Sequence, residues 1–166
     1  MTHEDLQRVL GWRNHPLVRR HMYTRHPIEA HEHRAWFERV CADPRHHALV
    51  FERDGVALGF VNFSVSAQGN VAQWGFYAAP QAPAGSGSAL GRTALRHGFE
   101  TLGFHRIGGQ ALAHNSASIR LHRKLGFQQE GILREQHFDL GRYVDVVCFG
   151  LLATEWRANP SKAVPP

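Results

Sequence analysis

The first part of the chain carries the hydrophobic spacing of helices. Residues 4–14 and 17–22 form two short helical patterns, and Pro16 separates them because proline disfavours helix in the residue before it. Residues 29–42 form a stronger amphipathic pattern, which Asp43-Pro44 ends. The residues that this spacing directs towards a core are Ala35, Trp36, Val40 and Cys41. We therefore expect the chain to begin with helices.

From His47 the pattern changes to the alternation that is typical of strands. Three strands are predicted, at residues 48–52, 56–65 and 71–78. The turn signals Asp54-Gly55 and Gln68-Gly69-Asn70 separate them, so consecutive strands should pair antiparallel. Pro80 and Pro83 then stop sheet pairing.

The rest of the chain alternates between helices and strands. The predicted order is a helix at 88–102, a strand at 106–113, a helix at 116–125 and strands at 127–138 and 142–152. This order predicts an α+β fold in which helices flank a mixed, mostly antiparallel central sheet. Residues 1–158 should form one domain, and the Pro-rich residues 159–166 a flexible tail.

Composition places the chain among globular cytoplasmic proteins. Of its 166 residues, 43% are hydrophobic and 20% are charged, and no apolar run is long enough to span a bilayer. The first residues lack the pattern of a signal peptide. Cys41 and Cys148 lie far apart and read as free thiols of a reducing compartment. A cytoplasmic location without a membrane partner is expected.

The charge balance favours anionic small molecules as partners. The formal net charge is +5 and the pI is about 9.9. No basic run typical of nucleic-acid binding occurs, so nucleic acid is not expected. Histidines are abundant, yet His31 and His33 point to different faces of a helix and make a poor chelating pair. No metal site is therefore predicted.

A glycine-rich turn, Ala84-Gly85-Ser86-Gly87-Ser88, leads from a strand directly into a helix. The unpaired amides and the positive dipole end of such a helix attract phosphate, and small side chains let phosphate oxygens approach. No Gly-Lys-Ser/Thr follows, so this is not the P-loop nucleotide motif. Alone, the turn is equally compatible with an ordinary flexible loop.

A second motif, Asn-Ser-Ala-Ser-Ile-Arg-Leu-His-Arg-Lys-Leu-Gly-Phe, runs from Asn115 to Phe127. Together the two motifs resemble the acyl-coenzyme A site of the GCN5-related N-acetyltransferase (GNAT) superfamily. The resemblance implies the GNAT fold and acetyl-CoA as the co-substrate. It assigns cofactor contacts to Phe76, Tyr77, Ala78, Gly85, Ser86, Gly87, Ser88, Ala89, Asn115 and Ser118. One departure is Ala82, which stands where relatives carry Gln or Arg, with Gln81 one position out of register.

Acetyl transfer requires a proton for the departing thiolate and a neutral amine. Many relatives place a tyrosine seven residues after the motif's asparagine, where this chain has His122. The resemblance therefore makes His122 the candidate general acid, with packing beside the cofactor as the alternative. His33, Asn62 and Gln73 are polar groups that can serve a proton path, and no general base is assigned.

The N-terminal third, rich in aromatic residues, suggests the acceptor. An arginine beside aromatic and sulfur-containing side chains suits a heterocycle with attached phosphates, although several of these residues also fit a core. Motifs such as Trp12-Arg13-Asn14, Met22-Tyr23-Thr24 and Trp74-Gly75-Phe76-Tyr77 resemble the N-acetyltransferases of pseudaminic acid biosynthesis. These enzymes acetylate the 4-amino group of UDP-4-amino-4,6-dideoxy-N-acetyl-β-L-altrosamine. The implied acceptor contacts are Arg13, Met22, Tyr23, His33, Trp36, Asn62 and Trp74.

Other functions stay open from the sequence. A ribosomal-protein-type N-terminal acetyltransferase shares the Asn-x-x-Ser motif, and a non-catalytic acyl-CoA sensor would share the cofactor site. Polyamine acetylation is less favoured because cationic acceptors usually need acidic walls. The resemblance also implies a strand before the first helix, whereas the pattern of this chain starts at the helix; a shortened sheet edge and a misplaced start site both stay open. A homodimer is compatible with the sequence, which does not reveal the oligomeric state.

Overall fold

The computed structural model describes residues 1–158, and its elements follow the sequence pattern. The helices are α1 (Leu6–Asn14), α2 (Pro16–Arg19), α3 (Ala30–Ala42), α4 (Ser86–Arg96), α5 (Ser116–Lys124) and α6 (Ala153–Ala158). The strands are β1 (His46–Arg53), β2 (Val56–Val65), β3 (Val71–Ala78), β4 (Arg106–Leu112), β5 (Gln128–Asp139) and β6 (Arg142–Leu152). A 3-10 turn, His3–Asp5, precedes α1, and a π turn, His97–Thr101, extends α4.

The six strands form one sheet in the order β1-β2-β3-β4-β6-β5. Every neighbouring pair is antiparallel except β3 and β4, which are parallel. The predicted α+β fold with a mixed, mostly antiparallel sheet is confirmed. The single parallel pair lies at the centre, between the two antiparallel halves of the sheet.

Helices cover both faces of the sheet and bury two clusters of apolar side chains. The larger cluster contains Phe63, Leu90, Leu95, Ile107 and Phe149, each at most 1% exposed. Burial of each such side chain stabilises the fold by about 1.5–3 kcal/mol. The smaller cluster, on the other face, packs the first helices against β2 and contains Val9, Trp12, Phe60 and Ala79.

Three sequence predictions about the helices need correction. Helix α3 buries His33, Phe37 and Val40, whereas Ala35 and Cys41 are exposed, because contact with the sheet selects the stripe at i, i+4 and i+7. Helix α4 begins two residues earlier than predicted. Helix α6 was not predicted, because Trp156 is its main core residue and six residues carry little periodicity. The tail predicted at 159–166 lies outside the described residues.

Candidate active site

Strands β3 and β4 lie side by side only over their first three residues. Val71–Gln73 pairs with Arg106–Gly108, and the remaining residues of the two strands make no pairs with each other. The strands therefore diverge and leave backbone groups of the sheet without strand partners. A cavity of about 330 Å³, the wedge cavity, lies at this opening. Its walls include Gln73, Trp74, Phe76, Gln110, Ala111, Leu112, Asn115 and Ser118.

The glycine-rich turn forms the start of α4. Gly85 caps the helix with a φ of +88°, a left-handed conformation that favours glycine. The amide of Ser86 donates to the Pro83 carbonyl at 3.1 Å, whereas the amides of Gly85 and Gly87 have no backbone acceptor among residues 1–158. The Ser86 hydroxyl is buried and has no hydrogen-bond partner there. Free amides at a helix start form a cradle for phosphate.

The cradle relies on backbone groups. Ala82, at the position where relatives carry Gln or Arg, is half-buried and packs against both apolar clusters, whereas Gln81 is exposed. Gly87 lies next to α5, since a Cβ added to it would meet Leu121 Cδ2 at 3.8 Å. The cradle therefore faces the space between α4 and α5.

Asn115 begins α5 in the expected way. Its side-chain oxygen accepts a hydrogen bond from the Ser118 amide at 3.1 Å, which is an N-cap worth about 1 kcal/mol. Both residues line the wedge cavity, as does Phe76. Tyr77 and Ala78 continue β3 beyond the point where β4 diverges, and Ala78 pairs with Gly59 of β2. Of the predicted cofactor residues, Phe76, Asn115 and Ser118 therefore line the wedge cavity, whereas Tyr77, Ala78 and the start of α4 do not.

His122 occupies a different environment from the one expected of an acid. Its ring is 1% exposed and stacks on Phe149 with a centroid distance of 4.6 Å. Its Nε2 accepts a hydrogen bond from the Trp74 indole at 3.1 Å, and its Nδ1 donates to the Ser118 carbonyl at 2.8 Å. A Cβ on Gly109 would lie 2.5 Å from the Trp74 and His122 nitrogens, so this buried pair requires glycine there.

This geometry does not favour the acid role predicted for His122. Indole nitrogen only donates, so Nε2 must accept and the imidazole is neutral with its proton on Nδ1. Burial lowers the pKa of His122, although the bond to the Ser118 carbonyl raises it. A proton on Nε2 would point at the indole N–H. The ring instead holds Trp74 and the start of α5 in place.

We expect the stability of the protein to fall as the pH drops below about 6.5, the ordinary pKa of an unfolded histidine. Burial lowers the pKa of His122 in the folded state, so the unfolded chain binds the proton first and the stabilisation present above that pH is lost. His122→Phe should reduce this pH dependence. The variant also leaves the Trp74 N–H unpaired, which should lower the free energy of unfolding by about 1–3 kcal/mol. Urea unfolding at pH 7.5 and 5.5 measures both effects. Equal pH dependence in the variant and the wild type would contradict this account.

A second cavity of about 420 Å³, the acceptor cavity, lies between the first helices and the sheet. Five of the seven predicted acceptor residues line it: Arg13, Met22, His33, Trp36 and Asn62. Its other walls are Thr24, Ile28, Glu32, Phe60, Gly75, Phe76 and Tyr77. Met22, Gly75 and Phe76 also line the wedge cavity, so the two cavities adjoin at this point.

Two predicted acceptor residues lie elsewhere. Trp74 and Tyr23 line the wedge cavity and not the acceptor cavity. Asn62 pairs with Gly75, and side chains alternate along a strand, so Asn62 and Trp74 are on opposite faces of the sheet. The prediction that these two side chains together line one gap is therefore wrong. Gly75 leaves room for the Asn62 side chain, whose oxygen would be 2.8 Å from an added Cβ.

Arg13 supplies the main charge of the acceptor cavity. Its Nη2 donates to the Thr24 carbonyl at 3.1 Å, and its Nη1 is buried without a partner among the described residues. Burial lowers the pKa of Arg13, yet a guanidinium stays protonated in a protein. Glu32 is the one carboxylate of the cavity wall, and it accepts a hydrogen bond from the Glu29 amide at 2.8 Å. The wall thus presents a cation with unused hydrogen-bonding capacity.

Residues 20–28, which we call the strap, lie between α2 and α3, and three of them, His21, Met22 and Tyr23, line the wedge cavity. Arg25 donates to both carboxylate oxygens of Asp139 on β5, with an Nε–Oδ1 distance of 2.8 Å. The Tyr23 hydroxyl donates to Gln110 Oε1 of β4 at 2.9 Å. Sequence analysis missed Arg25, Gln110 and Asp139, because Arg25 and Asp139 lie 114 positions apart and no local pattern connects them.

Within residues 1–158 no three His, Cys, Asp or Glu side chains gather as a metal site. Helices in that part of the chain are too short or too polar to cross a membrane. Cys41 and Cys148 are both unpaired.

Known proteins support an assignment to a family. A family model described as an acetyltransferase (GNAT) domain matches residues 1–128. The SPbeta prophage-derived uncharacterized N-acetyltransferase YokL of Bacillus subtilis is 30% identical over 136 residues, which cover 80% of this chain and 76% of YokL. The acetyltransferase PseH of Campylobacter jejuni is 23% identical over 127 residues, 76% of this chain and 79% of PseH.

Solved structures agree on the fold. The spermidine N-acetyltransferase of Vibrio cholerae, solved in complex with CoA and spermine, superposes with a TM-score of 0.86 at 22% identity, over 95% of each chain. The match confirms the predicted fold. The chain belongs to the GNAT acetyltransferase family and is an acetyl-CoA-dependent N-acetyltransferase.

Proposed function

We propose that this enzyme transfers the acetyl group of acetyl-CoA to the 4-amino group of a UDP-linked amino-dideoxy sugar. The observation that carries the proposal is Arg13, a half-buried guanidinium with an unpaired Nη1 in the wall of the aromatic acceptor cavity. A buried cation without a partner leaves hydrogen-bonding capacity unused, and a phosphate oxygen is a suitable acceptor for it. The distant similarity to PseH supports the superfamily, and the acceptor is our inference from the cavity.

The residues around the wedge fit acetyl-CoA as the co-substrate. We propose that Phe76, Tyr77 and Ala78 present backbone groups to the pantetheine arm, where β3 has no strand partner on its β4 side. At the start of α4, the free amides of Gly85 and Gly87 and the unpartnered Ser86 hydroxyl would hold the pyrophosphate. The amides of Ser88 and Ala89 already donate to the Gly85 carbonyl, so these two residues would contribute through their small side chains and the helix dipole. Asn115 and Ser118 would border the arm on the other side. The thioester supplies the acetyl group.

The acceptor cavity favours an anionic, partly aromatic molecule. Trp36 stacks on His33 with a centroid distance of 5.1 Å and gives the cavity a flat wall on which a heterocycle can pack. Burial and the charge of Arg13 both lower the pKa of His33, so this ring is neutral at neutral pH. A polycation such as spermine would meet Arg13 and find Glu32 as its single carboxylate partner in the wall. The charges therefore favour a phosphate-bearing acceptor over a polyamine.

The point where the cavities adjoin is the place for the chemistry. An acceptor amine that enters past Asn62 reaches the wedge beside Gly75 and Phe76, which line both cavities. Direct attack of a neutral amine on the thioester carbonyl then requires only alignment and removal of one proton. The strap, tied to β4 and β5 through Tyr23 and Arg25, limits the access of water to this point.

Turnover with a panel of acceptors tests the proposal. Release of free thiol from acetyl-CoA would be followed with the UDP-4-amino sugar, the same amino sugar without its nucleotide, spermidine and peptides with ribosomal N-termini. We expect turnover with the UDP-linked sugar, and kcat/KM for the free sugar to be at least about 10-fold lower because the contact of Arg13 with phosphate is lost. Turnover with spermidine or peptides alone would overturn the sugar assignment and leave acetyl transfer intact.

A further inference from the structure

A third cavity of about 210 Å³ adjoins the acceptor cavity and has no role in the account so far. It lies between the end of α3 and the first residues of β1 and the end of β2, and it shares the walls Trp36 and Asn62 with the acceptor cavity. Its remaining walls are Arg39, Val40, Asp43, His46 and Ser64. This volume is sufficient for several water molecules, at about 30 Å³ each, and its walls offer polar partners for them.

Polar side chains lead through this cavity from the acceptor site towards solvent. Asn62 and Ser64 are two residues apart on β2 and point to the same face of the sheet. Ser64 pairs across the strands with His46 of β1, and its hydroxyl lies 3.1 Å from His46 Nδ1. The His46 side chain is 35% exposed, so its far edge is in contact with bulk water. The three residues thus connect the acceptor cavity with the surface.

The charges around His46 favour a ring that accepts a proton at Nδ1. Asp43 Oδ2 lies 3.8 Å from Nε2, so the carboxylate favours a proton on Nε2 and leaves Nδ1 as the acceptor for the Ser64 hydroxyl. Hydrogen bonds from Arg45 lower the pKa of Asp43 to about 2, so this carboxylate is charged at neutral pH. The other basic groups near His46 are Arg39 in the cavity wall, Arg45 on the Asp43 carboxylate and His47, the next residue along β1.

We propose that His46 is the general base of the reaction and receives the proton of the acceptor ammonium through Ser64 and water held beside Asn62. The ammonium N–H bond breaks and its proton passes to a water molecule in the third cavity. This water passes a proton to the Ser64 hydroxyl, and the Ser64 hydroxyl proton moves to Nδ1 of His46. The products are a neutral amine, an unchanged serine and an imidazolium that faces Asp43. This inference rests on the proposed entry of the acceptor past Asn62.

The pH dependence of kcat/KM for the acceptor tests the relay, with any amine that the acceptor panel shows to be a substrate. We expect His46→Gln and Ser64→Ala to lower kcat/KM at pH 7 by about 10- to 100-fold. This is at or below the lower end of the rate enhancement that general-base catalysis usually provides. The deficit should shrink as the pH rises, because the amine then loses its proton in solution. Ser64→Thr keeps the hydroxyl and should restore most of the activity.

A matched control is His47→Gln, the same substitution on the next residue of β1. The His47 ring packs near Phe104 in the core with a centroid distance of 6.0 Å, on the other face of the sheet, so its pH profile should match that of the wild type. The affinity for acetyl-CoA should be unchanged in all four variants. A pH profile of His46→Gln that is parallel to the wild-type profile would overturn the proposal.

A second readout needs no turnover and no substrate. Imidazole nitrogen–proton correlation spectra of the ¹⁵N-labelled protein distinguish the two neutral tautomers of each histidine. We expect the Nε2–H form for His46 and the Nδ1–H form for His122, as their hydrogen bonds require. The Nδ1–H form at His46 would contradict the relay. If the UDP-linked sugar is not a substrate, the acceptor assignment fails, while this spectrum and the pH profile with the true substrate still decide the relay.

Discussion

Arg13→Ala is expected to raise the KM for the acceptor about 10- to 100-fold, with kcat and the KM for acetyl-CoA close to wild type. The guanidinium lies in the wall of the acceptor cavity, and its Nη1 has no partner among residues 1–158. A charge-assisted hydrogen bond contributes about 1.5–3 kcal/mol, which corresponds to this change in affinity. The phosphate is remote from the reacting amine, so removal of this contact should weaken binding of the ground state and of the transition state equally. KM therefore rises while kcat stays the same.

Two further variants separate charge from fold. Arg13→Lys keeps a charge but not the planar fork of donors, and we expect it to recover only part of the loss. Arg8→Ala is the matched control on the same helix, since Arg8 is half-exposed and pairs with Asp5 outside the cavity. Steady-state kinetics with both substrates give all of these values. An unchanged acceptor KM in Arg13→Ala would remove this residue from the site.

Gly87→Asp is expected to weaken acetyl-CoA binding about 10- to 100-fold without destabilising the fold. Gly87 is the second residue of α4, where a Cβ meets Leu121 at an ordinary contact distance of 3.8 Å. A carboxylate in the first turn stabilises a helix by about 0.3–1 kcal/mol through the macrodipole. The same charge in the phosphate cradle repels a pyrophosphate, by roughly 1–4 kcal/mol per pair of like charges near a protein surface.

The isosteric variant Gly87→Asn isolates the charge. It has the same size and backbone preferences but no negative charge, so it should bind acetyl-CoA at least about 10-fold more tightly than the aspartate variant, because it adds no repulsion. Calorimetric titration with acetyl-CoA and urea unfolding measure binding and stability separately. Equal acetyl-CoA affinities in the two variants would show that the pyrophosphate does not bind at the start of α4.

Local patterns were sufficient to predict the framework of the fold. The change from helical spacing to alternation at His47, the turn at Asp54-Gly55 and the cap at Asn115 each depend on neighbours within a few residues, and the structure has them where predicted. The buried face of α3 was predicted less well. Spacing alone did not distinguish the stripe of His33, Phe37 and Val40 from the one beside it, because contact with the sheet decides which stripe is buried.

The candidate site depends on contacts that sequence cannot show. Five of the residues predicted to contact the acceptor line one cavity, yet the same analysis placed Asn62 and Trp74 together although strand alternation separates them. His122 has the position of an acid in the motif, but its partners Trp74 and Phe149 come from distant strands and turn the ring into part of the core. The ion pair between Arg25 of the strap and Asp139 likewise joins residues that are far apart in the sequence.

The divergence of β3 and β4 creates the opening at which, on the proposed account, the cofactor and the acceptor meet. The wedge opens between the two strands of the single parallel pair, and the two cavities adjoin at Met22, Gly75 and Phe76. On this account each substrate occupies its own cavity, and the reacting groups come into contact at these three shared residues. Such an arrangement favours direct transfer by proximity, without a covalent enzyme intermediate.

The measurement that tests this account most directly is the mapping of both substrates onto backbone amide resonances of the ¹⁵N-labelled protein. Coenzyme A, which carries no acetyl group, and the UDP-4-amino sugar would be added separately and then together. We predict that coenzyme A shifts the resonances of Phe76–Ala78, Gly85–Ala89 and Asn115–Ser118, and that the sugar shifts those of Arg13, Met22, Trp36 and Asn62. Both sets should shift when the two ligands are present together. A sugar that shifts the resonances of Gly85–Ala89 or Asn115–Ser118, which lie outside the acceptor cavity, or that competes with coenzyme A, would contradict the two-cavity account.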